Sequence, residues 1–228
     1  MVIARRRARQ WGQHRIRLAC VLGVAFGLSL GPIGTCADGP APSPVAGNDL
    51  LTNPASEHLT AQKRRTEIPP AYAPIEYPYF TRLPTPEIRT AADLAAVEEV
   101  EQHAVALAGY IVRVIPVPTQ LGGWRATEWE FHLHLRVGPP QHCEYQDDPR
   151  NLVTVVTPPF QPPHTGWDFD VLRVLCEKHT RVRMSGWLLY NYLTRAQVGR
   201  SRISPWSIHP VTQIEVWNAG DQSWDRLR

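Results

Sequence analysis

The chain has 228 residues, 43% hydrophobic and 20% charged, with 24 Lys and Arg against 21 Asp and Glu and a formal net charge of +3 at pH 7. Six of the arginines (Arg5, Arg6, Arg7, Arg9, Arg15 and Arg17) and no acid precede residue 38, so the remainder carries eighteen basic and twenty-one acidic side chains, a net charge of −3. That balance excludes a globally basic nucleic-acid binder, and the length excludes more than one or two domains.

The arginine-rich start is followed by an apolar run from Leu18 to Leu30, the helix breakers Gly31 and Pro32, and the small-residue stretch Thr35-Cys36-Ala37. This order predicts an export signal over residues 1–37, cut before Asp38. The apolar run is shorter than the roughly 20 residues of a membrane-spanning helix. Arg5-Arg6-Arg7 is compatible with twin-arginine export, and Cys36 with a lipid anchor and weak envelope association. The mature protein is expected in the periplasm or outside the cell. After the cut Cys143 and Cys176 remain, and in an oxidising compartment an isolated pair reads first as a disulfide. The loop it closes, roughly 34 residues, is worth about 3–4 kcal/mol on the chain-entropy model.

Residues 38–89 are proline-rich and lack sustained periodicity, as in EIPPAYAPIEYPYFTRLPTPEIR. Such a stretch predicts an arm or linker, with Tyr72, Tyr77, Tyr79 and Phe80 able to pin its second half to a surface. The folded domain is expected over residues 90–228. It opens with a short helix in TAADLAAV, where Thr90 is the N-cap and Asp93 stands at the capping-box position.

Strands follow in HAVALAGYIVRVIPVP, WEFHLHLRV and LVTVVTPP, then a helix in WDFDVLRVLCEKH, then strands in TRVRMSGWLLYNY and WSIHPVTQIEVW. Gly109 and Gly186 interrupt the first and fourth strands at matching places, as at a bulge or sharp bend of a small closed sheet. The order of three strands, helix and two strands predicts an all-β fold with one or two short helices, a five-stranded OB-fold-like Greek-key barrel.

In WEFHLHLRV, alternation puts Phe131, Leu133, Leu135 and Val137 on one face and Glu130, His132, His134 and Arg136 on the other. The apolar set must fill the barrel, which turns the histidines outward onto the usual OB-fold ligand surface. His-x-His can supply two metal ligands, with His209, His142 or His164 as a third. His209 starts the last strand, next to the arginine-rich loop of Arg195, Arg200 and Arg202. Trp124 and Arg125 lie in the first long loop. A G-x-S-x-G nucleophile elbow and phosphate-loop or dinucleotide fingerprints are absent from the sequence.

The segments GWLLY and WSIHPVTQIEV resemble a set of exported bacterial OB-fold-like domains, mostly uncharacterised, that carry G-W-L and then W-x-I-H-P-V-T-x-I. Glu130-Phe131-His132-Leu133 is similar to the acidic-x-histidine-aliphatic pattern of their second strand. The resemblance covers roughly Ala104 to Trp217 and implies the fold. Those domains often have an aspartate and then a histidine after the G-W-L strand; this chain has Asn191 and no nearby histidine.

The expectation is a binding module for an anionic ligand, a glycan or a partner protein, with nucleic acid among the polyanions. Its surface comprises Trp124, Arg125, Glu130, His132, His134, Arg200, Arg202 and His209, with no cofactor required. One alternative is a nuclease-like hydrolase that uses zinc or another divalent metal on His132, His134 and His209, with Glu128, Glu130, Asp147 and Asp148 as nearby carboxylates. Another is a structural subunit of an envelope assembly that docks through Tyr72–Phe80.

Overall fold

The computed structural model describes residues 54–119, 128–143, 147–161 and 166–228. Their backbone is mostly β-sheet. The long strand β2 (Ala104–Pro118) pairs antiparallel with both β5 (Arg181–Tyr190) and β3 (Trp129–Arg136). β3 pairs antiparallel with β4 (Leu152–Val156), β4 runs parallel to β6 (Trp206–Asn218), and β6 returns antiparallel to β5. Because β2 reaches both ends of the path β2-β3-β4-β6-β5, these five strands close into a circuit.

The two strand glycines sit where this circuit bends. β2 hands over from β5 to β3 around Tyr110, and a Cβ on Gly109 would come within 2.7 Å of the Arg136 carbonyl oxygen. At Gly186 the β5–β6 register shifts, and a Cβ there would come within 2.2 Å of the Pro210 carbonyl oxygen. Both places need a residue without a side chain because another backbone approaches so closely.

Two features differ from the sequence expectation. The sheet has seven strands among the described residues, since β1 (Ala73–Ile75) adds parallel to β2 and β7 (Ser223–Arg226) adds antiparallel to β6. At three and four residues, neither strand is long enough to show periodicity. The described α-helices also number four: α1 (Pro54–Lys63), α2 (Tyr77–Arg82), α3 (Ala91–Glu101) and α4 (Phe169–Glu177). The extra two start at or beside Pro54 and Pro78, and proline suits a first helical turn because its missing N–H is one that has no intrahelical partner there.

α3 carries the capping box of Thr90 and Asp93, and Asp168 caps α4 by accepting from the Val171 N–H. A disulfide joins Cys143 to Cys176, the latter on the buried face of α4, with 5.5 Å between their Cα atoms. Inside the circuit lie Leu107, Ile111, Leu133, Leu135, Met184, Ile208 and Ile214, all within 1% of fully buried, with Trp167 and Leu172 of the α4 region against them. Each buried aliphatic side chain contributes about 1.5–3 kcal/mol.

Residues 54–89 belong to the same compact unit as the sheet. Tyr77 and Phe80 enter the central core, the Tyr190 hydroxyl donates to the Pro86 carbonyl, and the Trp206 indole donates to the Pro84 carbonyl. No helix of the described residues is long and apolar enough to cross a membrane.

Candidate functional site

The outer face of β3 is a cavity wall. A cavity of about 590 Å³ lies over it, bounded by Arg113 and Ile115 of β2, Val153 and Val155 of β4, and Ser207 and His209 of β6. Lys63 of α1 and the stretch from Asn191 to Arg202 close the other sides. The histidines therefore face outward from the circuit but are covered: His134 is 6% and His209 3% exposed. Alternation gave their direction, and tertiary packing decided their solvation.

Each histidine has a distinct environment. The Asn151 side-chain amide donates to His134 Nδ1 at 3.0 Å, and its orientation is set because the Asn151 carbonyl oxygen accepts from Arg136 Nε at 2.8 Å. His134 is thus neutral with its proton on Nε2. Burial, helped by the Arg113 charge, pushes its pKa down to about 4. His132 Nε2 lies 2.7 Å from Glu130 Oε1. His209 Nε2 is buried and has no hydrogen-bond partner among the described residues. Burial, reinforced by the Lys63 charge, holds His209 well below the usual imidazole range.

The charged groups divide into paired and unpaired sets. Arg113 is paired with Asp147, and Glu130 with His132. Asp148 outside the cavity is held by Arg150 at 2.7 Å and Arg136 at 2.9 Å, and those contacts push its carboxyl down to about 2. Lys63, Arg200 and Arg202 line the same cavity without forming an ion pair among the described residues.

Arg202 is the deepest of the three, 4% exposed, and its Nε donates to the Ser204 carbonyl at 2.7 Å. Burial alone pushes its pKa down to about 10. Its positive charge reaches Lys63, His134 and His209, disfavouring protonation of each. Lys63 is itself pushed down, mainly by burial. Arg200 is exposed at the rim.

Of the residues singled out from sequence, Glu130, His132, His134, Arg200, Arg202 and His209 therefore meet in one cavity. Trp124, Arg125 and His164 lie outside the described residues. His142 is exposed and away from the cavity walls. Among the described residues, no three His, Cys, Asp or Glu side chains are gathered as a metal's ligand set.

Lys63, Arg113 and Asn191 were not anticipated as cavity residues. α1 has no apolar stripe that would announce packing, and Arg113 is a lone charge within an apolar strand. Asn191 could have been found from its place directly after GWLLY; its side-chain oxygen is buried without a partner.

Comparison with family models, with curated proteins and with solved structures finds no match. The functional reading therefore rests on the geometry of this cavity.

Proposed function

We propose that the protein is an exported OB-fold-like module that binds a small anionic molecule in the cavity over β3, β4 and β6. The closed five-strand circuit, the parallel pairing of β4 with β6 and the placement of α4 between β4 and β5 support the OB-like assignment. The export signal over residues 1–37 and the Cys143–Cys176 disulfide support an oxidising destination.

One observation carries the ligand reading. Arg202 is a buried guanidinium with no carboxylate partner among the described residues, set in a cavity that also holds unpaired Lys63. A buried charge costs several kcal/mol unless it is compensated, and a bound anion supplies the missing partner. At about 590 Å³ the cavity falls in the range of small-molecule sites.

Titration calorimetry of the purified protein with phosphate, sulfate and glucuronate tests this, using Arg202→Met in parallel. Binding of at least one anion, weakened tenfold or more in the variant, supports the reading. Silence with all three anions, or affinities unchanged by the substitution, contradicts it.

A second reading, a divalent metal on the cavity histidines, has one observation in its favour, at His209; His134, whose Nδ1 accepts from Asn151, has no lone pair free for it. His209 holds its Nε2 buried without a hydrogen-bond partner, a nitrogen open to a metal. Near-stoichiometric zinc in the purified protein, lost in His209→Ala, would favour it; zinc content independent of His209 would count against it.

A further inference from the structure

The three unpaired cations differ in depth but line one cavity. Arg202 is buried, Lys63 is partly buried and Arg200 stands at the rim. Lys63 feels the Arg202 charge, and His209 feels both. Positive charge thus gathers where Lys63, Arg202 and His209 meet, with Arg200 on the rim of the same cavity. A singly charged carboxylate there would leave most of this charge uncompensated, whereas a phosphate dianion puts two charges on one tetrahedral group. Its oxygens match a guanidinium fork and an ammonium together.

The rest of the cavity has another character. Ile115, Val153 and Val155 line it, and Val155 is only 3% exposed. A bare oxyanion would fill little of about 590 Å³, given that a water molecule occupies about 30 Å³ in the liquid. The remaining volume has walls suited to a compact carbon skeleton.

Resting on the anion-pocket reading, we propose that the ligand is a small phosphomonoester, its phosphate held by Arg202, Lys63 and Arg200 and its organic body against Ile115, Val153 and Val155. Neutral His134 and His209 line the same cavity, and His134 has its Nε2 proton to donate. Of the nearby carboxylates, Asp147 is paired with Arg113, whereas Glu130, hydrogen-bonded to His132, keeps its charge and offsets part of that of Lys63.

The test is calorimetric titration of the whole protein at pH 8, where a phosphomonoester is dianionic because its second pKa is about 6. The probes are phenyl phosphate, phenyl sulfate and inorganic phosphate. Phenyl sulfate keeps the tetrahedral head and the ring but carries a single charge. The expected order is phenyl phosphate at least tenfold tighter than phenyl sulfate and severalfold tighter than inorganic phosphate. Arg200→Gln, a rim variant that leaves the core untouched, is expected to weaken phenyl phosphate about threefold, and Arg202→Met at least tenfold.

Phenyl sulfate binding as tightly as phenyl phosphate, with dependence on Arg202, overturns the phosphate assignment while the anion pocket stands. Inorganic phosphate binding as tightly as phenyl phosphate overturns the role of the apolar wall. No binding of any probe overturns both the assignment and the pocket.

Discussion

The two faces of β3 are both shielded from water, and they are shielded by different chemistry. On the inner face Leu133 and Leu135 are fully buried among aliphatic and aromatic side chains. On the outer face His134 is almost as buried, but beneath Arg113, Arg202 and the stretch that begins at Asn191. The inner burial stabilises the fold through apolar area, while the outer burial removes cations and imidazoles from water without giving all of them partners. That uncompensated burial, in a cavity of ligand size, is the observation on which the proposed binding site rests.

The cover over the outer face depends on one buried pair, and breaking it should have the largest effect. Glu101 is fully buried; it accepts from His58 Nε2 of α1 at 2.5 Å and from the Tyr190 N–H at 2.8 Å. The Glu101→Ala variant is expected to lose about 4 kcal/mol of stability, because the buried Tyr190 N–H is left without an acceptor and His58 Nε2 loses its partner. It should also weaken anion binding, since α1 carries Lys63. Denaturant unfolding and calorimetry on the same sample check both effects.

Leu133→Ala attacks only the inner face. It should cost about 3 kcal/mol in denaturant unfolding through lost burial and the cavity left behind. Anion affinity of the folded fraction is expected to stay within about twofold of the parent, and a larger loss would show that the two faces are not separable.

Acid sharpens the comparison from the other side. His134 and His209 have folded pKa values below the usual 6.5, so below that pH the unfolded chain takes up protons that the folded chain refuses. Stability should therefore fall as pH drops from about 6.5, by about 2 kcal/mol over the first unit if both histidines contribute. His58 acts in the opposite sense. Its pKa is raised, chiefly by the hydrogen bond to Glu101, so its contribution is complete below 6.5 and is lost as pH rises through the folded value. Unfolding followed across pH 5–9 should show a maximum near pH 6.5, and His134→Asn should flatten the acid limb.

The sequence carried the inner face well. Alternation in WEFHLHLRV placed Leu133 and Leu135 inside and the histidines outside, whereas Val137, expected inside, lies past the end of β3 and is 69% exposed; the glycines of the first and fourth strands lie where the sheet bends. The outer face was legible only as a residue inventory. That Arg202 would be buried, and Arg200 exposed two positions away, depends on how the stretch from Asn191 folds back over β6, which no periodicity encodes. The proline-rich stretch 54–89 was opaque for a similar reason. Its helices are too short to show a pattern, and Tyr77 and Phe80 are fixed by contacts far away in sequence, such as Ser204 donating to the Phe80 carbonyl.

The most direct test of an outer face built for a ligand rather than for stability is thermal unfolding of the parent and Arg202→Met, each with and without phosphate. Without phosphate the variant should unfold within about 1 kcal/mol of the parent or be more stable, since it removes a buried unpaired charge at the expense of one hydrogen bond. With phosphate the parent alone should gain stability. A variant that loses several kcal/mol without phosphate, and is stabilised by phosphate as much as the parent, would contradict the account by making Arg202 a structural residue.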